Sequence, residues 1–361
     1  MTQWHAVHIH YHDDPDPLII GGIRPLFQRL AGVVTGMYYT RHWRLGPHLR
    51  LRFRCTERAF ARAVRPAVED VIGGFLAARP STSELDPDSF LTAHQRLADL
   101  EQEPGALVPW HPDNSFHVAD QTPRVEVHGG LAMADLLDDF YSDTTELALQ
   151  TTQRVPRGSA RLALGFDLMV AVAHALSGVG ITGGCLSYRS HAEAFLCTFP
   201  EGTGLRPAWD DHYRLHSSAL LARLRNVTAG LGNGGAAESP ITAWVEVLND
   251  YQGRATRLMD QGLFAMPQGD ARSELDLARR SPLHQAGFAN PRWLEVRESA
   301  GFLLYRLMIN YTYLHLSRLG VAPVERFQLC HLAASAVEDL HGVSALSMMT
   351  YGVNAPLPET R

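Results

Sequence analysis

Residues 47–55 read Pro-His-Leu-Arg-Leu-Arg-Phe-Arg-Cys. Leu49, Leu51, Phe53 and Cys55 alternate with His48, Arg50, Arg52 and Arg54. A strand sends successive side chains to opposite faces. This period of two therefore demands a β-strand with one apolar face and one row of bases. The chain as a whole carries a net charge of -6, so the row is a local device for an anionic or strongly hydrogen-bonding partner. Bases on one strand face are commonly a solvated edge or a set of ion pairs. Here a second β-rich run, residues 33–40, comes before them, and Gly46-Pro47 marks the turn between. The bases are placed on a central hairpin, with Tyr38 and Tyr39 nearby.

The 361 residues are 45% hydrophobic and 19% charged, enough for a substantial core. The acidic balance argues against general nucleic-acid binding. No apolar run reads as a membrane span. The opening Met-Thr-Gln-Trp-His has neither a basic n-region nor an apolar h-region, so no secretory signal is expected. Cysteines at 55, 185, 197 and 330 form no CxxC pair. A reduced, cytoplasmic protein without a structural zinc or iron–sulfur centre is the natural reading.

Along the chain, residues 5–12 predict a first strand and residues 17–30 a helix. A hairpin follows over about 33–55, and then a helix from Thr56, a good N-cap, to about Arg79. Strand, helix, strand, strand, helix is the order of an α+β unit with an antiparallel sheet and packed helices. Residues 80–122 are Pro-rich and polar and predict an excursion of short elements, with a strand pair near 107–127. Residues 123–361 are helix-rich, with helical patterns near 131–153, 159–178, 208–229, 240–264, 292–319 and 323–341. One further strand pair is expected near 184–199. The glycine-rich stretch 178–184 follows a helical run and precedes a strand, the reverse of the nucleotide-binding order, and reads as a helix stop and turn. One domain over 1–361 is expected, with subregions 1–79, 80–122 and 123–361.

Three constellations carry chemistry. His8, His10 and His12 share a face of the first strand, a spacing that can converge on a metal. No distant ligands are visible from sequence, so the set reads as a polar strand face and no metal is assigned. Ser187-Tyr188-Arg189-Ser190-His191-Ala192-Glu193 packs hydroxyls, a phenol, a guanidinium, an imidazole and a carboxylate between apolar segments. Such groups move protons when close together, and otherwise serve only to satisfy one another. Tyr313, His315 and His331 stand in apolar helical runs, where a lone histidine is usually a satisfied core residue.

Trp4 with its strand, Tyr38-Tyr39-Thr40-Arg41, and Gly46-Pro47-His48-Leu49-Arg50-Leu51-Arg52-Phe53 together resemble the start of the thiopeptide-type biosynthesis domain. That family is related to the glutamate-elimination domain of class I lanthipeptide dehydratases. The resemblance covers most of the chain. Val125-Glu126-Val127-His128-Gly129-Gly130 lies where the family has a Glu-x-Arg-Tyr-Gly-Gly-like motif, and Leu329-Cys330-His331-Leu332 where it has His-Met-x-x-Asn-Arg. The motif arginine is replaced by Val127, the tyrosine by His128 and the Asn-Arg by Ser335-Ala336. An apolar Val127 cannot hold a departing carboxylate, so the scaffold looks retained and the elimination site dismantled.

The resemblance therefore implies a stand-alone pyridine synthase. Such an enzyme joins two dehydroalanines of an azole-bearing precursor peptide by formal [4+2] aza-cycloaddition, with loss of water and leader peptide. It implies an α+β fold similar to the elimination domain and a ribosomally made precursor as partner. It implies no cofactor, nucleic acid or membrane, and leaves a dimer open. Tyr188, Ser190 and His191, with Ser187 as orienter, are the expected catalytic set. Arg50, Arg52, His48, Tyr38, Tyr39, His128, Tyr313 and His331 are the expected substrate-binding set, with Trp43 as a further stacking surface for azoles. A glutamate-eliminating enzyme acting on glutamylated Ser or Thr, and a non-catalytic peptide-binding partner of a dehydratase, are the alternatives.

Overall fold

The computed structural model describes residues 2–101, 103–119, 125, 127–199, 202–232, 239–266 and 271–351. Its backbone separates into two compact units. One is Met1–Pro156 with Ser317–Gly320, and the other is Arg157–Leu316 with Val321–Arg361.

The first unit is built on a sheet of β1 (Gln3–His10), β2 (Gly36–His42), β3 (His48–Cys55) and β4 (Ser115–Ala119), all antiparallel. The strand order is β2-β3-β1-β4, so β3 is interior and β2 is an edge. The expected alternation holds along β3. Leu49, Leu51, Phe53 and Cys55 are buried, while Arg50, Arg52 and Arg54 stay partly exposed. Phe53 meets Phe27 edge-on at 5.9 Å, and His5 stacks on Phe60 at 4.3 Å. These contacts pack the apolar face against two helical runs. One passes through Asp16–Leu18, Ile19–Ile23 and Arg24–Leu30, the other through Glu57–Ala59, Phe60–Val64 and Arg65–Ala78. Each has a π-helical turn after its first three residues. Thr56 caps the second as expected, its Oγ1 accepting from Ala59 N at 3.2 Å.

The excursion differs from the expectation in two ways. It contains a full helix, Pro87–Glu101, whose proline falls in the first turn where no backbone donor is needed. Of the strand pair expected near 107–127, the described residues hold one strand, β4, which pairs with β1. Residues 120–124 and 126 of that pair lie outside the described residues.

The second unit is helical. Its expected helices form as Ser159–Leu176, Gly202–Gly232, Pro240–Asp260, Pro291–Glu298, Ala300–Arg318 and Pro323–His341. The strand pair expected near 184–199 is overturned, because Gly180–Thr198 is one continuous helix. Ile181, Cys185, Tyr188, Ala192 and Leu196, spaced by three or four residues, form its buried side. Ser159–Leu176 is long and apolar enough by composition to cross a membrane, which corrects the reading that no run qualifies. It carries the buried Arg161 and Asp167 and is 61% buried within the fold, as a core helix is.

Gly178 and Gly180 take φ of 72° and 70° at the turn between these helices, conformations that favour glycine. Four residues on, a Cβ at Gly184 would sit 2.3 Å from the Ala173 carbonyl oxygen. The two helix backbones thus approach closely only because that side chain is absent. Gly184→Ala should push the helices apart and cost about 1–3 kcal/mol, as overpacking does. Urea unfolding followed by circular dichroism would measure it, and an unchanged midpoint would contradict the close packing.

Candidate active site

The Gly180–Thr198 helix carries four neighbouring polar residues, each engaged by a different partner element. Arg189 reaches the Pro323–His341 helix. Its Nη1 lies 3.1 Å from His331 Nδ1, and its Nη2 donates to Ser335 Oγ at 2.9 Å and Glu338 Oε2 at 2.5 Å. Ser190 Oγ is 2.9 Å from His284 Nε2, and His284 Nδ1 is 2.8 Å from Ser281 Oγ. His191 Nδ1 is 2.7 Å from the Tyr313 hydroxyl, which lies 3.1 Å from Cys330 Sγ. Glu193 accepts two 2.8 Å bonds from Arg206. The fifth member of the sequence cluster, Tyr188, is fully buried and donates to the Met169 carbonyl at 2.8 Å, joining this helix to Ser159–Leu176. Ser187 is buried on the same helix.

The electrostatics follow from burial. Desolvation, and behind it the Arg326 guanidinium, lowers His191 to about 4. His331 is lowered to about 4 by desolvation and then by Arg189. His284 is lowered to about 4 mainly by desolvation. All three are neutral imidazoles at pH 7, each able to accept a proton at one nitrogen and donate at the other. His331 Nε2 lies 3.1 Å from an Asp210 oxygen without the alignment of a hydrogen bond. Beside this set is a cavity of about 660 Å³, lined by Glu193, Leu196, Cys197, Phe199, Arg206 and Pro282 among others. An aromatic group of Phe195, Phe199, Trp209 and Phe327 borders it, with ring centroids 4.5 to 5.9 Å apart.

Arg189 narrows the argument from the missing elimination arginine. A guanidinium does stand beside His331. It is already matched, however, because Glu338 takes two of its donors and accepts from Ala345 N at 3.0 Å as well. The charge is cancelled by this carboxylate, leaving no open seat for a second anion.

The remaining expected residues lie in the first unit. On the polar face of the sheet, His48 Nδ1 donates to the Gly46 carbonyl at 2.8 Å, and its Nε2 accepts from Arg50 Nε at 3.1 Å. The Nη1 of Arg52 is buried without a hydrogen-bond partner among the described residues. Tyr38 shares this face and donates to Asp138 at 2.5 Å. Tyr39 points to the opposite face, where the buried Arg318 guanidinium lies 5.1 Å from its ring centroid. His128 sits half-buried in the turn before Gly129 and Gly130. Trp43 packs on His42 and His94.

Sequence reasoning missed His284, Ser281, Glu338 and Arg206. The first two had a readable signal. Ser281-Pro282 is an N-cap followed by proline at the first helical position, and it opens the helix Pro282–Ala289. The other two are tertiary partners that no local pattern announces.

The model of the family described as lantibiotic biosynthesis dehydratase C-term matches residues 4–337. Among solved structures, the pyridine synthase TbtD from thiomuracin biosynthesis is similar at 38% identity, covering 95% of this chain and 100% of its own, with a TM-score of 0.79. TsrL is similar at 22% identity, covering 99% of this chain and all of its own, with a TM-score of 0.74, a likeness of fold. No curated protein sequence matches.

The three depressed histidines fix a pH dependence. Unfolded, each takes up a proton near 6.5; folded, each stays neutral until about 4. The unfolded state binds more protons across that window, so stability rises with pH through it. The urea midpoint should fall steadily from pH 6.5 to 4 and stay level from 6.5 to 8. A flat midpoint over the acid range would contradict the neutral imidazoles.

Proposed function

The chain belongs to the lantibiotic biosynthesis dehydratase C-terminal family, and from that membership we propose that it is a pyridine synthase of thiopeptide biosynthesis. The observation that carries this is the match to a pyridine synthase at 38% identity over 95% of the chain. The substrate is a ribosomally made precursor peptide bearing azoles and dehydroalanines. One dehydroalanine, with the amide on its nitrogen as the iminol tautomer, supplies the 2-azadiene; the alkene of the second supplies the other two carbons. Two bonds close a six-membered ring and the macrocycle. Loss of water, and of the leader as its amide, then makes the ring aromatic.

The tautomerisation needs a base at the amide N–H and an acid at its oxygen. We assign these to the neutral His191 with Tyr313, and to Ser190 with His284, whose paired hydrogen bonds can pass a proton in either direction. Tyr188 and Ser187 are read as positioning residues, Tyr188 through its bond to Met169. The aromatic group around Phe195 and Trp209 offers faces for azoles. Holding the two alkenes together supplies on the order of 7–11 kcal/mol that a free peptide would lose in entropy. On the polar face of the sheet, Arg50 and Arg52 would bind peptide carbonyls, with His48 and Tyr38 beside them, and His128 would contribute from its turn. We place the protein in the cytoplasm, where its ribosomal substrate is made.

Incubation with a dehydroalanine-bearing precursor should release leader amide and give a pyridine macrocycle by mass spectrometry. Loss of glutamate from a glutamylated precursor without cyclisation would instead select the eliminating enzyme, to which the guanidinium beside His331 is relevant. His191→Ala should lower kcat by roughly 10²–10⁴-fold, with precursor binding kept. Arg52→Ala should reduce turnover more than leader affinity, by about 10²-fold if its donors hold a polarised carbonyl. Equal loss of both in the Arg52 variant would contradict its role.

A further inference from the structure

Six of the chain's 18 histidines meet on the polar face of the sheet in the first unit. The register places His42, His48 and His10 across β2, β3 and β1, and His8 opposite His117 on β1 and β4. Ring centroids of His10 and His48 are 4.8 Å apart, and those of His8 and His117 are 5.4 Å apart. The ring of His111, from the segment before β4, lies 4.5 Å from those of both His10 and His117, stacked on the latter. The strand pattern alone offered His8, His10 and His12 without distant ligands. The fold supplies those ligands, and it selects a different set.

We propose that His10, His111 and His117 form a binding site for a divalent transition metal of the zinc class. One ring nitrogen from each lies within 4.8 Å of the others. His10 is fully buried, and both of its ring nitrogens lack a hydrogen-bond partner. An orphaned buried imidazole carries a desolvation cost that metal coordination would remove. Three nitrogens around a tetrahedral ion at about 2.0 Å sit about 3.3 Å from one another. The rings therefore need to close by about 1.5 Å and turn edge-on, which rotation about χ2 allows. Imidazole donors suit zinc, cobalt, nickel and copper rather than calcium or magnesium. Three protein ligands leave a fourth position for water or for a peptide group. The neighbours are suited to a second layer. Asp113 lies close enough to act electrostatically on His10 and accepts from His12 N at 2.9 Å. His111 N donates to the Leu45 carbonyl at 3.1 Å, holding its segment against the β2–β3 turn. An ion here would tie β1, β4 and the segment between residues 109 and 114 together. The site stands independently of the reaction proposed above.

The exposed pair His212 and His216, whose rings are 4.5 Å apart on the Gly202–Gly232 helix, is the competing surface site. It can be removed first. The full chain, stripped with a chelator, would be titrated with cobalt(II) and read by its visible d–d bands, then by zinc competition and metal analysis after gel filtration. One equivalent in the His212→Ala/His216→Ala background, with a raised Tm on zinc addition, is expected. His111→Ala/His117→Ala should weaken binding by more than about tenfold while keeping the circular dichroism of the metal-free parent. Three results would overturn the site. These are a wild-type chain giving no cobalt bands and retaining no zinc, binding lost with His212 and His216, and binding unchanged in the His111/His117 variant.

Discussion

A helix turns 100° per residue, and that step organises the second unit. Arg189, Ser190, His191 and Glu193 follow closely along one helix, so their side chains leave it in different directions. They meet partners on the helices Pro323–His341, Pro282–Ala289, Ala300–Arg318 and Gly202–Gly232 respectively. A single buried helix thereby becomes the hub of the unit. Every polar group it carries inward must be matched, and each match ties one more helix to the hub. The contact between Gly184 and Ala173 and the Tyr188 bond to Met169 fix the hub against Ser159–Leu176. The Ser190–His284 and His191–Tyr313 pairs inherit their geometry from that fixation.

The same constraint explains how a scaffold can change chemistry with few substitutions. A guanidinium beside a histidine can hold an anion only if its charge is unmatched. Arg189 is matched by Glu338, whose Oε1 is further tied to Ala345 N. Removing one member of such a half-buried pair would leave an uncompensated charge and cost several kcal/mol, so the pair is held in its neutral arrangement. Ser335 lies where the related motif has asparagine, and it contributes a neutral acceptor to the same guanidinium. The centre therefore combines neutral imidazoles and hydroxyls with guanidinium–carboxylate pairs that are already matched.

Local period decided what could be read from the sequence. β3 was legible because eight residues alternate without exception, and the helix after it because Thr56 supplies a cap. The helix at 180–198 was not. Cys185 to Tyr188 and Ala194 to Phe199 are short apolar runs flanking polar residues, and over six residues a strand and a buried helix look alike. Only the longer series through Ile181, Cys185, Tyr188, Ala192 and Leu196 distinguishes them. Most site partners were invisible for another reason. His284 is 94 residues from Ser190, and Glu338 is 149 from Arg189. Pairings at that separation are set by tertiary packing, and no window of sequence contains them.

The polar face of the sheet raises a question of charge. Arg50 and Arg52 lie among His8, His42, His48 and His117 in a half-buried setting where six like charges could not coexist. The arrangement holds because burial above all keeps the imidazoles neutral, and at His8 the Arg50 guanidinium acts next in the same direction. His8 is lowered to about 2 and His42 to about 4. Each histidine thus relieves rather than adds to the positive potential. His48 shows how, since its Nε2 lone pair accepts from Arg50 while its Nδ1–H is tied to Gly46. The Arg50 guanidinium is thereby oriented by a neutral acceptor.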